Sequence, residues 1–125
     1  MEFEIVLYTD AAGNSPVDEF LDDLRIRQPH LYNVTESGIR KLQRRMNHHE
    51  PITKHVGEGL YELRCGHKDI TRVLWFFFAG AKIVLVHGLV KKTDRIPAAD
   101  MTMALARKAD YLRRHTETSL ERRHG

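Results

Sequence analysis

Gly59-Leu60-Tyr61-Glu62-Leu63-Arg64-Cys65-Gly66, Ile70-Thr71-Arg72-Val73-Leu74-Trp75-Phe76-Phe77-Phe78 and Lys82-Ile83-Val84-Leu85-Val86-His87-Gly88-Leu89-Val90-Lys91-Lys92 hold the densest apolar content of the 125-residue chain. Each segment has the β-branched and aromatic character of a strand. The breaks between them, 65–69 and 79–81, are short and contain glycine, so the strands read as antiparallel neighbours joined by hairpins. Basic residues nevertheless lie inside or at the ends of all three: Arg64, Arg72, His87, Lys91 and Lys92. A charge in a strand that should be buried requires a partner or a task.

Strict alternation assigns faces. Leu60, Glu62 and Arg64 share one side of their strand, and Tyr61, Leu63 and Cys65 the other. Arg72 falls with Ile70, Leu74 and Phe76, and His87 with Ile83, Leu85 and Leu89. Upstream, 52–56 reads as a further short strand carrying Lys54 and His55. The amino end alternates as a half-exposed strand, with Phe3, Ile5 and Leu7 on one side.

Two helices are predicted between these strands. Ser15-Pro16 reads as an N-cap followed by proline at the first helical position. Val17, Phe20, Leu21 and Leu24 then give an amphipathic stripe that Pro29 ends. Leu31, Val34, Gly38, Ile39, Leu42 and Met46 continue as a second helix. A final helix is expected from about Ala98 to Arg114, with Met101, Ala104, Leu105, Lys108, Tyr111 and Leu112 facing the core. Residues 115–125 are polar and read as a flexible tail. The expected architecture is a single α+β domain over 1–125, with helices on one face of an antiparallel sheet and the other face open to solvent or ligand.

The totals set limits on function. One cysteine excludes an internal disulfide and fits a reducing cytoplasm. No apolar run reaches the roughly 18–20 residues of a membrane-spanning helix, so no membrane partner is expected. The net charge of +3 permits a polyanionic partner without demanding one. Eight histidines invite a metal site, yet His48 and His49 are adjacent and point apart, and no ligand spacing occurs. Neither metal nor cofactor is expected. Cys65 reads as packing rather than as a nucleophile.

The basic set remains. Arg64 and Arg72 flank one hairpin turn, His87 with Lys91 and Lys92 lies on the next strand, and Lys54 and His55 lie on the preceding one. Arginine holds phosphate through a permanently charged fork, and lysine supplies a compact positive charge. Metal-free RNA cleavage needs such charge together with a base for the 2′-OH and an acid for the leaving oxygen. His87 and Lys54 are the titrating candidates, and Lys54, His55 and Lys92 are candidate substrate contacts. Plain structural roles stand beside these: Arg64 paired with Glu62 or Glu58, Arg72 with Asp69, and His87 as a hydrogen-bonded core residue.

The series Gly59-Leu60-Tyr61-Glu62-Leu63-Arg64, Thr71-Arg72-Val73-Leu74 and His87-Gly88-Leu89-Val90-Lys91-Lys92-Thr93, followed by Ile96-Pro97 and a helix, resembles the phage-derived, HigB-like branch of the RelE/ParE toxin superfamily. The resemblance implies a RelE-like fold and the toxin of a type II toxin–antitoxin pair. It implies metal-independent, ribosome-dependent mRNA cleavage that leaves a 2′,3′-cyclic phosphate. Arg64 and Arg72 match the arginines that hold the scissile phosphate, and Lys91 and Lys92 match the basic position closing the last strand. The implied partners are a cognate antitoxin, often a helix-turn-helix DNA-binding protein, and the translating ribosome with its mRNA. The best-known RelE enzymes carry lysines on the strand where this chain has Leu60 and Glu62, and a tyrosine near the carboxy terminus where only Tyr111 is present; the HigB-like branch shares the tyrosine-glutamate-leucine-arginine motif. The alternative within the superfamily is a ParE-like poison of DNA gyrase that cleaves nothing.

Overall fold

A computed structural model describes residues 2–124, with side chains through residue 116. Strands β1 (Glu4–Leu7), β2 (Thr53–Gly57), β3 (Leu60–Gly66), β4 (Ile70–Phe78) and β5 (Lys82–Val90) form one sheet in the order β1-β5-β4-β3-β2. Helices α1 (Pro16–Arg27) and α2 (Pro29–Lys41) lie between β1 and β2, and α3 (Ala98–His124) follows β5. The expected α+β, RelE-like arrangement of two amino-terminal helices, a sheet and a carboxy-terminal helix is present. The sheet is mixed rather than wholly antiparallel, because β1 pairs parallel to β5. The chain between β1 and the rest of the sheet is long enough for the crossover that parallel pairing requires.

Both faces of the sheet are covered, which corrects the expectation of an open face. On one face Val17 of α1 and Ile39 of α2 pack with Leu42, Leu63, Cys65, Val73, Trp75, Ile83 and Leu85. On the other, Ala104 and Tyr111 of α3 pack with Leu60, Leu74, Phe76, Val84 and Val86. The first strand is partly exposed as expected, but it packs on both sides rather than one. Ile5 and Leu7 face the helical hairpin, while Val6 and the buried Tyr8 face α3.

Helix boundaries follow local chemistry, with three departures. Pro29 both ends α1 and opens α2 as its first helical residue, with Gln28 shared between the two caps. The second helix stops at Lys41, so Met46 lies beyond it, 73% exposed, in a 3₁₀ turn (Arg45–Asn47). Ser15 occupies the N-cap position of α1, but its hydroxyl makes no cap bond and is buried without a partner. The backbone of α3 stays helical past Arg114 to His124, through most of the expected flexible tail; side chains from 117 on and Gly125 lie outside the described residues.

Alternation breaks once where it matters. Trp75 pairs with Leu85 and Leu74 with His87, so Val86 is an extra residue in β5. This bulge turns His87 to the α3 face, away from Ile83 and Leu85, with which simple parity had grouped it. Two residues further on, a Cβ added to Gly88 would lie 2.4 Å from the Phe20 ring of α1. Only glycine lets the helix sit this close to β5. Gly88→Ala is expected to cost about 1–3 kcal/mol through forced repacking, read as a lower urea midpoint with an unchanged m-value.

Candidate active site

Strand register gathers part of the predicted basic set. In β3, Glu62 lies opposite Lys54 of β2 and opposite Leu74 of β4, while Arg64 lies opposite Arg72. Lys54, Glu62, Arg64 and Arg72 therefore share the α3 side of the sheet, beyond the part that the helix covers. Buried hydrogen bonds fix this register. Trp75 Nε1–H donates to Thr53 Oγ1 at 3.1 Å, and Thr53 Oγ1–H donates to the carbonyl of Glu62 at 2.7 Å. A concave cleft of about 190 Å³ results, lined by Glu50, Pro51, Thr53, Lys54, Glu62 and Arg64.

The two arginines differ in kind. Arg72 is buried, its side chain 2% exposed, with Nε 3.0 Å from Glu62 Oε1. The contact is an ion pair without hydrogen-bond alignment, since neither atom has a well-directed partner. Arg72 Nη2 also donates to the carbonyl of Asp94 at 2.8 Å. Arg64 is exposed at the cleft wall, and so is Lys54. Neither has a carboxylate within ion-pair distance among the described residues. The pairings expected from local sequence, Arg64 with Glu62 or Glu58 and Arg72 with Asp69, are thus replaced by a diagonal pair between adjacent strands.

Lys91 reaches the rim of this patch. Its ammonium lies 3.1 Å from the Asp94 carboxylate and, helped by the nearby guanidinium groups of Arg64 and Arg72, holds that carboxyl below its usual range. Lys92 is exposed beside it.

Two predicted residues lie elsewhere. His55 is on the opposite face from Lys54, its ring 5.1 Å from that of Tyr61, and its Nε2 accepts the Gly59 N–H. His87 stands two strands from Glu62, about 10 Å away, with Leu74 between them. Both of its ring nitrogens are engaged by α3. Arg107 Nη1 lies 2.8 Å from Nδ1, and Asp100 Oδ1 lies 2.6 Å from Nε2. A guanidinium only donates, so Nδ1 accepts and the proton sits on Nε2, directed at Asp100. Arg107 also donates to the carbonyl of Val86, the bulge residue, at 2.8 Å. The group fastens α3 to the bulge and occupies the imidazole. Sequence reasoning had no means of finding Asp100 and Arg107, because their link to His87 depends on the bulge.

On the far side of Arg64 a wider groove of about 940 Å³ runs between α2 and the β3–β4 turn, with Cys65 in its floor. No group of three or more His, Cys, Asp or Glu side chains converges among the described residues, and no helix among them is long and apolar enough to cross a membrane.

Residues 29–109 match the family model described as "Phage derived protein Gp49-like (DUF891)". The chain belongs to this family. The match covers more than half of the sequence, from the first residue of α2 into α3, and includes every residue of the cleft. The Gp49-like family is a RelE-like family associated with toxins of toxin–antitoxin systems, which places an antitoxin among its expected partners. No curated protein matches the chain.

Cys65 supplies a check on the packing beneath the patch. Burial pushes its thiol from 9.0 up to about 11, so at neutral pH it is a packed thiol rather than a nucleophile. The folded state thus keeps a proton that the unfolded chain loses. Its contribution to stability is complete below pH 9 and is lost as pH rises toward 11. The expected slope is up to about 1.4 kcal/mol per pH unit in that window. Urea titrations of wild type and Cys65→Ala at pH 8, 9 and 10 measure it, and the gap between the two proteins should narrow as pH rises.

Proposed function

We propose that this Gp49-like chain is the toxin of a type II toxin–antitoxin pair that cuts mRNA on the translating ribosome without a metal ion. One observation carries the reading. Lys54 and Arg64 stand on the walls of a single small concavity with no carboxylate within ion-pair distance among the described residues; Glu62 lies between them and a third cation, Arg72, beneath. Such a site suits a phosphodiester, whose transition state gains negative charge on the phosphoryl oxygens. Arg64 grips the scissile phosphate, and Arg72 adds its field from below. Lys91 and Lys92 guide the strand, and Lys54 protonates the leaving 5′-oxygen. His87, held by Asp100 and Arg107, positions α3 rather than transferring protons. The reaction is attack of the 2′-oxygen on phosphorus, giving a 2′,3′-cyclic phosphate and a 5′-hydroxyl. The site of action is the cytoplasm, and the partner is a cognate helix-turn-helix antitoxin that shields the basic face.

Arg64→Ala is the cleanest test. The side chain is exposed, so stability should change by no more than about 0.5 kcal/mol. Arg72→Ala, by contrast, would strand the buried Glu62 charge at a cost of about 3–5 kcal/mol and confuse function with folding. On induction, wild type is expected to arrest translation with in-frame mRNA cuts bearing 5′-hydroxyl ends, and Arg64→Ala to lose about 10²-fold or more in cutting. Equal cutting by the variant refutes the assignment. Arrest with intact mRNA and induced DNA damage would instead favour a gyrase poison.

A further inference from the structure

The nuclease reading leaves the base that takes the 2′-OH proton unassigned, since His87 is occupied and His55 faces away. We infer that Glu62 is that base, an assignment that rests on the nuclease reading. It sits at the centre of the basic group: Lys54 is directly across on β2, Arg64 is two residues along the same face of β3, and Arg72 is diagonal on β4. Its side chain is 4% exposed, and Oε1 lies 3.0 Å from Arg72 Nε. The second oxygen has no donor among the described residues, and the residue lines the cleft beside Arg64 and Lys54. A carboxylate fixed by one oxygen and unengaged at the other is poised to accept a proton from a group bound between those two cations. Glu50, the other acid lining the cleft, is exposed in the preceding loop and has no cation fixing its carboxylate among the described residues.

The step balances within the site. Glu62 removes the 2′-OH proton, the 2′-oxygen forms a bond to phosphorus, and the P–O5′ bond breaks. The 5′-oxygen leaves with a proton from the Lys54 ammonium, giving a neutral Glu62 carboxylic acid and a neutral Lys54 amine that solvent resets. The acid on β3 thus has a chemical use within a basic site.

The test uses purified protein on ribosomes programmed with a defined mRNA, in single turnover at neutral pH, with ribosome binding and thermal melts of each variant. Glu62→Gln is expected to bind programmed ribosomes as wild type does and to cut about 10²-fold or more slowly. Because Glu62→Gln leaves Arg72 without its counter-charge and so threatens folding, Glu62→Asp serves as the second variant. It keeps the charge beside Arg72 but withdraws the carboxylate by one carbon, so a near-wild-type melt with cutting slowed about tenfold or more supports the base role. A folded Glu62→Gln that cuts within threefold of wild type overturns the inference. So does a Glu62→Asp with unchanged cutting, or a slowed variant whose loss is matched by weaker binding to programmed ribosomes. If the wild type cuts but these variants do not slow, only the base assignment falls; if the wild type leaves mRNA intact, the nuclease reading falls with it.

Discussion

A guanidinium that is 2% exposed cannot shed its charge, so the fold must answer Arg72 from within. The answer comes from Glu62, one strand away and displaced by two ladder positions along the register, with the Asp94 carbonyl taking a second donor. This pair is weak evidence for stability, because two desolvated ions roughly offset their own attraction. Its consequence is geometric. Arg72 holds the Glu62 carboxylate on the β4 side, and Lys54 and Arg64, on either side, make no ion pair among the described residues. A sheet end that might have been a solvated mixture of charges becomes an ordered site with two available cations, one buried cation and one fixed acid.

The rest of the molecule holds that end still. Helices on both faces bury β3, β4 and β5, so the strands that carry the site cannot slide without moving two apolar clusters. The Thr53 hydroxyl ties β2 to β3 and to the Trp75 indole, fixing Lys54 opposite Glu62. The bulge at Val86 serves the other half of the sheet, aiming His87 at α3, where Asp100 and Arg107 close on it. Burial pulls Arg107 below the usual arginine value, while its Nη1 donates to both the Val86 carbonyl and the His87 ring. The histidine that looked most like a catalyst from its place in an apolar strand is thereby held at both ring nitrogens by side chains of α3.

Much of this was legible in the chain and some was not, for physical reasons. Hydrophobic periodicity and turn glycines place the helical hairpin, the three central strands and the last helix, because those signals are local. Parity within β3 and β4 correctly puts Glu62, Arg64 and Arg72 on one side. Parity fails in β5, since an inserted Val86 leaves no mark in composition and shifts every later residue to the other face. It also could not separate Lys54 from His55 by function: adjacent residues on an edge strand point apart, and only the pairing shows which side holds the arginines. The covering of the second face by α3 was equally hidden, because an amphipathic helix does not say which sheet face it will meet. Ile5 and Leu7 signal one buried side, while Val6 and Tyr8 bury the other only once that helix has arrived. The diagonal pairing of Arg72 with Glu62 rather than with Asp69 is a property of register, which short-range spacing does not encode.

Glu62 and Arg72 also act together as charge moves in the proposed reaction. Before reaction, three cations and one carboxylate surround a phosphodiester that bears a single negative charge. As the 2′-oxygen attacks, its proton passes to Glu62 and the phosphoryl group gains a second negative charge. Neutralising Glu62 removes the counter-charge that had been directed at Arg72. The positive field of Arg72 is then unmasked at the moment the phosphoryl oxygens need it, with no side chain having to move. Stabilisation that appears only along the reaction coordinate lowers the barrier, whereas attraction already present in the bound state tightens binding alone. A lysine at position 62 would add to the ground-state attraction but could not release a buried arginine in this way. In the proposed reaction, the acid at position 62 is what lets a buried, paired arginine contribute to the transition state.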